Sequence, residues 1–306
     1  MPKYINIALT NRCNLECRHC DIWQESSKVD INSSFISDIL SSLLPGKSDI
    51  ALTGGEPFMH RRFFDIVDLI LQHDRGALKT ISTNGTLKNK ILIFLDRYAS
   101  ILPKDFSFHI SFDGIRAYAI QRNIDYSIVS KTLFAIKKRA PHIKISLKFT
   151  ITPLNYWDII PAYEFALKNS LDFKIKLIEN VKNYTNKINR QEIEFLPSMK
   201  KSILYDLAVI FKGLAKKRKK RDVDFLLKTM EFLCGKQKFL LCRTPLDGIF
   251  VMPEGKVFSC LYRESIGDLR KESFEAICNS KLAWDIKDEK QKFGCNQCIA
   301  YHGYRV

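Results

Sequence analysis

Hydrophobic and polar positions alternate through the first 180 residues in a pattern that predicts strands and helices in turn. Short β-rich runs are separated by amphipathic stretches whose apolar residues recur at helical spacing. The predicted strands lie near residues 3–9, 48–53, 77–83, 106–112, 143–152 and 173–179. The predicted helices lie near residues 33–45, 62–73, 88–101, 127–140 and 156–169. Such alternation is typical of a parallel α/β layer or barrel.

Polar or glycine-rich segments follow each predicted strand. The first is a cysteine loop that begins at residue 13, and the later ones are residues 54–57, 82–85, 111–114, 152–155 and 179–180. The active site of a parallel barrel lies at the carboxyl ends of its strands. We therefore expect these segments to meet at one mouth.

The rest of the chain has a different texture. Residues 181–241 are predicted to form connecting helices, with a basic run at 216–221 that is typical of a solvated helical face. From residue 242 onward short strands and turns prevail, including a hairpin turn near 251–255. We place a first unit at 1–180 and a second at 242–306.

Composition indicates a soluble globular protein. Of 306 residues, 46% are hydrophobic and 27% charged, and no run approaches the roughly 18 apolar residues that a membrane span needs. Strand-like sequence from residue 3 leaves no room for a secretory signal, so we expect a cytoplasmic protein with reduced thiols. The net charge of +16 favours anionic partners. The alternative is that the basic side chains serve only to keep the surface solvated.

Three cysteines, Cys13, Cys17 and Cys20, lie within eight residues after the first strand. Three thiolates on one loop can hold an iron–sulfur cluster and leave one iron open, whereas a closed structural site uses four ligands. His19 is a conceivable fourth ligand of a zinc site, but its adjacency to Cys20 strains that geometry.

The CxxxCxxC spacing of these cysteines, joined by Gly54, Gly55, Glu56 and Pro57 after the second strand, resembles the radical S-adenosylmethionine (SAM) superfamily. The resemblance implies a partial (β/α)6 TIM barrel and a 4Fe-4S cluster that cleaves SAM to a 5'-deoxyadenosyl radical. It also implies that the Gly-Gly-Glu-Pro segment holds the methionine amino group, with Glu56 facing the ammonium. An ordinary Gly-Pro turn is the alternative.

The same resemblance assigns further cofactor contacts to the loops after the third and fourth strands. The segments that match those contacting ribose and carboxylate contain Ser82, Asn84, Ser111 and Asp113. Arg122 is expected to pair with the SAM carboxylate in bidentate fashion. A surface salt bridge is the alternative for this arginine.

A second set of four cysteines, Cys242, Cys260, Cys295 and Cys298, can close a metal site completely. From chemistry alone this is either structural zinc or an iron–sulfur cluster. The spacing resembles the auxiliary-cluster domain of radical SAM enzymes in its shorter twitch form. The sequence differs from the longer, seven-cysteine SPASM form, because only eight residues follow Cys298. The resemblance implies a second 4Fe-4S cluster that moves an electron. Cys234 and Cys278 stay unassigned, with core packing expected for Cys278.

Strand alternation also predicts which side chains face the barrel lumen. The apolar positions should face the helices and the polar ones the interior. We expect Lys144 and Lys174 at the bottom rim, and a cationic wall that suits a polar or anionic substrate. The candidates for substrate contact or proton acceptance are His109, Lys148 and Lys176.

The predicted function is a radical SAM oxidoreductase that removes two electrons from a polar small molecule, such as a sugar or cyclitol. A flavodoxin- or ferredoxin-type protein would supply the first electron. A maturase acting on peptide or protein side chains is the alternative. A zinc-stabilised nucleic-acid-binding protein is a remote alternative from another class, because no recognition helix or aromatic stacking motif is visible.

Overall fold

The protein is described by a computed structural model over residues 1–179, 181, 193–216, 220–236 and 244–293. The described strands form one nine-stranded sheet. Its first six strands along the chain are parallel and are β1 (Tyr4–Ala8), β2 (Asp49–Thr53), β3 (Leu78–Thr83), β4 (Ser107–Ser111), β5 (Lys144–Ile151) and β6 (Asp172–Leu177). They lie side by side in the order β6-β5-β4-β3-β2-β1, and the three later strands continue the sheet beyond β1. The α/β fold with a parallel partial barrel is confirmed.

Helices connect these strands where the periodicity predicted them. They are α1 (Ser33–Ser41), α2 (Phe63–His73), α3 (Lys88–Tyr98), α5 (Tyr126–Arg139) and α6 (Ile159–Lys168). Side chains of Asn32 and Asp125 accept from backbone N–H groups two residues on and so cap α1 and α5. A short helix that the sequence did not predict, α4 (Tyr118–Arg122), follows β4. Five residues are too few for a helical period to show.

The helix-facing side of the sheet is apolar. On β4, Phe108 and Ile110 are fully buried, while Ser107, His109 and Ser111 are only partly buried on the opposite face. Phe108 packs edge-on against Phe94 of α3, with ring centroids 5.6 Å apart. The predicted parity therefore holds on this strand, and its polar side chains face the lumen.

Two further helices cover the outer edge of the barrel sheet, within the region where connecting helices were predicted. They are α7 (Pro197–Lys216) and α8 (Lys220–Leu233). Ile210 of α7 and Phe225 of α8 line one small cavity with Phe173 of β6, and Lys174 of β6 forms an ion pair with Asp222 of α8. In the described ranges, no helix has the length and apolar character needed to cross a membrane.

The last described segment extends the barrel sheet. Its elements are α9 (Thr244–Asp247), β7 (Gly248–Val251), β8 (Lys256–Phe258), β9 (Gly267–Asp268), α10 (Phe274–Cys278) and α11 (Lys281–Phe293). Strand β7 pairs in parallel with β1, and β8 returns antiparallel after a turn in which Gly255 adopts φ +95°. The predicted hairpin is thus present, and it shares a sheet with the first unit.

Candidate active site

The cysteine loop leaves β1 at the carboxyl edge of the sheet and is closed on itself. Thr10 Oγ1 donates to the carbonyl of Val29 (3.0 Å) and to the carboxylate of Asp30 (2.6 Å). Arg12 Nε also donates to Asp30, at 3.2 Å. Because residues 10–12 and 29–30 are joined at the loop's base, the intervening segment with its three cysteines is fixed at the mouth.

The thiols of this loop interact electrostatically with one another. Burial, with a smaller contribution from the neighbouring Cys17, raises the pKa of Cys13 to about 11 and of Cys20 to about 12. Thiolates in such a place need cationic compensation, which iron supplies. Within the described ranges no three His, Cys, Asp or Glu side chains converge closely enough to bind one metal ion. A donor set of three cysteine thiols on one loop fits an iron–sulfur cluster that keeps one iron open.

The Gly-Gly-Glu-Pro segment after β2 packs against the backbone of the cysteine loop. Gly55 N donates to the carbonyl of Thr10 (2.7 Å) and Glu56 N to that of Arg12 (2.8 Å). A Cβ atom on Gly54 would lie 2.4 Å from the carbonyl oxygen of Thr10, and Gly54 adopts φ +137°. The glycines thus allow two protein loops to approach closely, a reason that the sequence analysis, which considered only a ligand, did not find.

Glu56 is fully buried and joins two strand ends. Its carboxylate accepts from Thr83 Oγ1 (2.8 Å) and the N–H groups of Asn84 (2.7 Å) and Phe58 (3.3 Å). Burial raises the pKa of Glu56 to about 7, and these hydrogen bonds oppose that shift. Contact of Glu56 with the SAM ammonium stays a prediction.

The loop after β3 brings an amide to the first cysteine. Asn84 Nδ2 donates to Cys13 Sγ at 3.9 Å and to Asn14 Oδ1 at 3.0 Å, and Asn84 Oδ1 accepts from Thr86 N. Ser82 lies on β3 beside His109 of β4. The predicted residue Asn84 therefore reaches the cysteine loop, whereas Ser82 lies lower in the lumen.

Asp113 and Arg122 form a buried ion pair at the mouth. Asp113 Oδ2 accepts from Arg122 Nε (2.7 Å) and Nη2 (2.6 Å), and Asp113 Oδ1 accepts from Thr150 N (2.7 Å). Arg122 Nη1 donates to Cys17 Sγ at 3.6 Å. Burial opposes the charge on Arg122, but Asp113 and Cys17 outweigh it and raise the arginine's pKa. The salt bridge of Arg122 is therefore buried, whereas the alternative given in the sequence analysis was a salt bridge on the surface.

Gln121 is a site residue that the sequence analysis missed. Its backbone oxygen accepts from Arg18 N (3.0 Å), and its Nε2 lies 2.6 Å from His19 Nδ1. Gln121 Oε1 accepts from Thr152 Oγ1 at 3.2 Å, and this hydrogen bond orients the amide so that its nitrogen faces His19. Burial lowers the pKa of His19 to about 4, which keeps the ring neutral. The only signal in the sequence was that Gln121 precedes Arg122.

The lumen below the mouth is cationic. Lys148 of β5 pairs in register with Ser111 of β4 and Lys174 of β6. Burial and, to a smaller extent, the charges of Lys174 and Lys176 lower the pKa of Lys148 to about 7, and Asp222 and Asp172 oppose that shift.

The predicted lumen residues occupy successive levels. Lys176 pairs with Thr150, one level nearer the mouth than Lys148, while His109 pairs with Ser146, one level further down. Lys144 is exposed at the start of β5, as expected, but Lys174 is partly buried in its pair with Asp222.

The second cysteine set is only partly described. Cys260 is half-buried just after β8, whereas Cys242, Cys295 and Cys298 lie outside the described residues. Cys278 is buried in α10, where core packing was expected, and Cys234 is exposed after α8.

Two family models match the chain. Residues 7–166 match the radical SAM superfamily, and residues 242–299 match an iron-sulfur cluster-binding domain named SPASM.

Curated relatives are distant. A GTP 3',8-cyclase of Aliarcobacter butzleri is 23% identical over 66% of this chain and 66% of that protein. Fe-coproporphyrin III synthase of Methanosarcina barkeri is 31% identical over 51% and 39%. A GTP 3',8-cyclase of Clostridium perfringens is 22% identical over 93% and 88%. The matched segments thus span less than two thirds of the first two relatives.

Solved structures share the fold. SuiB of Streptococcus suis, bound to precursor peptide SuiA, aligns with a TM-score of 0.65 at 16% identity, covering 94% of this chain and 67% of that one. The anSMEcpe structure with bound AdoMet aligns with a TM-score of 0.66 at 17% identity, covering 92% and 82%. At such identities the likeness is one of fold alone.

Proposed function

The chain belongs to the radical SAM superfamily, and from this premise we propose that it oxidises a polar, anionic small molecule by two electrons. One observation carries the proposal: the cysteine loop, locked against Gly54 and Gly55, lies at the mouth of a lumen lined by Lys148 and Lys176. The radical-forming residues and a cationic substrate chamber would then face each other.

The groups that this chemistry needs have candidate ligands in the chain. Cys13, Cys17 and Cys20 would hold the first 4Fe-4S cluster, and Cys242, Cys260, Cys295 and Cys298 the second. When bound, the first cluster and SAM supply a hydrogen-abstracting 5'-deoxyadenosyl radical, and the second cluster supplies an electron acceptor.

The lysines of β5 and β6 support an anionic substrate. Lys174 is paired with Asp222, and Lys148 and Lys176 bring two further amino groups to the same wall. A carboxylate or phosphate in the lumen would stabilise both cations. The GTP 3',8-cyclases among the relatives act, by name, on a phosphorylated nucleotide, which favours the same chemical class.

Lys148 is also suited to accept the proton that a two-electron oxidation releases. With a pKa of about 7, a substantial fraction of this amine is neutral at physiological pH, which a general base requires. Because kcat/KM reports the pKa values of the free enzyme, kcat/KM for substrate oxidation should rise as pH increases through about 7.

The test uses anaerobically reconstituted protein, dithionite and SAM, with candidate anionic metabolites as substrates. We expect slow 5'-deoxyadenosine release without substrate, and faster release with product formation when the substrate is present. Lys148→Met should abolish product while leaving the slow release intact, whereas the exposed Lys144→Met should change neither. Lys148→Arg keeps the charge and should retain binding without turnover. No 5'-deoxyadenosine from fully reconstituted protein would contradict the proposal.

A peptide side chain is the second candidate substrate. It is favoured by the basic run at 216–221 and by fold neighbours whose structures contain peptides. An acidic peptide would meet the same lumen lysines. Mass spectrometry of peptides incubated with the enzyme, scored for a loss of two hydrogens, separates this candidate from the small molecule. For either substrate, the net charge of +16 favours an acidic electron donor of the flavodoxin or ferredoxin type.

A further inference from the structure

We propose that Arg122 raises the reduction potential of the first cluster by donating a hydrogen bond to the Cys17 sulfur. The nitrogen-to-sulfur distance is 3.6 Å. The inference assigns Arg122 a role toward the cluster that is separate from contact with SAM. It depends on the cysteine loop holding the cluster and does not depend on the substrate.

Hydrogen bonds from the other two nitrogens of the guanidinium hold it in position for this contact. Both Nε and Nη2 donate to one carboxylate oxygen of Asp113, at 2.7 and 2.6 Å. Asp113 is itself fixed, because its second oxygen accepts from Thr150 N on β5. The Tyr118 ring lies 6.0 Å from the guanidinium carbon. With two of its nitrogens engaged, the arginine presents Nη1 to Cys17 from a buried, oriented position.

A donor in this position changes the energy of the reduced state more than that of the oxidised state. Reduction adds negative charge to a cluster, and hydrogen bonds to its cysteine sulfurs stabilise that charge. The arginine's charge is largely offset by Asp113 at longer range, so the direct N–H to Cys17 Sγ contact carries the effect. Burial of the pair strengthens that contact, because little water competes for it.

A second, weaker donor faces another cysteine of the loop. Asn84 Nδ2 lies 3.9 Å from Cys13 Sγ, and its amide is neutral. Two of the three cluster cysteines therefore receive a side-chain N–H from a different strand end. Asn84 should shift the reduction potential less than Arg122 does, because its hydrogen bond to sulfur is longer and its amide carries no charge.

The experiment measures the midpoint potential of the first cluster in full-length, reconstituted protein without SAM. Electron paramagnetic resonance follows the titration, and the signal that changes on later addition of SAM identifies the first cluster. Arg122→Gln removes the cation, while Arg122→Lys leaves an ammonium that lacks the planar fork. Arg116→Gln is the matched control, because Arg116 is exposed just before α4 and its loss changes the net charge equally.

We expect Arg122→Gln to move the midpoint to more negative potential, Arg122→Lys to move it less, and Arg116→Gln to leave it unchanged. An unchanged midpoint in Arg122→Gln or Arg122→Lys, with weakened SAM binding, would assign the arginine to the SAM carboxylate and overturn the proposal. Loss of iron from both variants would make Arg122 a structural residue and overturn it equally. Failure to find a substrate leaves this result unaffected, so the two proposals fail separately.

Discussion

The carbonyl oxygen of Arg12 lies 2.4 Å from the point where a Cβ atom on Gly55 would stand. No side chain fits at that distance without a shift of backbone. The cysteine loop and the Gly-Gly-Glu-Pro segment are thus packed main chain to main chain, with N–H groups of Gly55 and Glu56 donating to the cysteine loop.

Gly55→Ala should therefore displace the cysteine loop. The added methyl meets backbone rather than a flexible side chain, a misfit that costs about 1–3 kcal/mol when it is accommodated. We expect iron per chain to fall from about eight to about four, because only the first of two 4Fe-4S sites is affected, and SAM cleavage to be lost. Iron and 5'-deoxyadenosine assays measure both.

The control for this variant is Gly76→Ala. There a Cβ atom would meet the carboxylate of Asp74 at 3.2 Å, in the turn before β3 at the amino ends of the strands and so away from the cysteine loop. Iron content and cleavage should stay at the wild-type level. Full iron content in Gly55→Ala would show that the loops can separate and that their close contact is dispensable.

The barrel was predictable because its signals are long and repeated. The six parallel strands lie within about two residues of their predicted ends, since each carries an apolar run bounded by turn residues. The cysteine and Gly-Gly-Glu-Pro spacings are local in sequence and so were readable directly. Contacts such as Gly54 with Thr10 join residues 44 positions apart, and no local pattern records them.

The parts that escaped prediction depend on three-dimensional partners. Helix α4 is too short to show a period, so the alignment of Gln121 with His19 and of Arg122 with Cys17 was invisible. Lys174 was predicted to lie in solvent at the bottom rim of the barrel. Strand parity cannot show that Asp222 of α8 forms an ion pair with it. The parallel pairing of β7 with β1 likewise joins residues 244 positions apart, Tyr4 and Gly248.

Glu56 should make the apoprotein less stable as pH rises from about 4.5 to about 7. Burial raises its folded pKa from 4.5 to about 7, so between these values the native state binds more protons than the unfolded state. Each pKa unit corresponds to about 1.4 kcal/mol, which gives a contribution of roughly 3 kcal/mol over this window. Urea unfolding across pH measures it.

Glu56→Gln removes this titration and should flatten the pH dependence in the same window. The exposed Glu272→Gln should leave the slope as it is in the wild type. A steep slope that survives in Glu56→Gln would show that another group, and not this carboxyl, releases the proton.

The ion pair of Lys174 with Asp222 should set the pH at which Lys148 becomes neutral. Lys174 lowers the pKa of Lys148, and Asp222 raises it. Asp222→Asn removes a carboxylate that raises the pKa of Lys148, so the midpoint of the pH–rate profile should move to lower pH. Lys174→Met removes a repelling cation and should move the midpoint to higher pH. Shifts in the same direction in both variants would contradict the electrostatic account.

The four cysteines of the second set include Cys260, which follows β8, the strand between β7 and β9 in the nine-stranded sheet. If these ligands only provide an electron acceptor after hydrogen abstraction, Cys298→Ala should leave 5'-deoxyadenosine release largely intact while product falls at least about tenfold. A metal that merely staples the C-terminal segment would act differently, because its loss would unfold that segment and lower both activities and stability together. The measurement counts 5'-deoxyadenosine and oxidised product side by side in a soluble Cys298→Ala protein, with Cys234→Ala, exposed after α8, as the matched control. Full product from Cys298→Ala would mean that the electron leaves by another route.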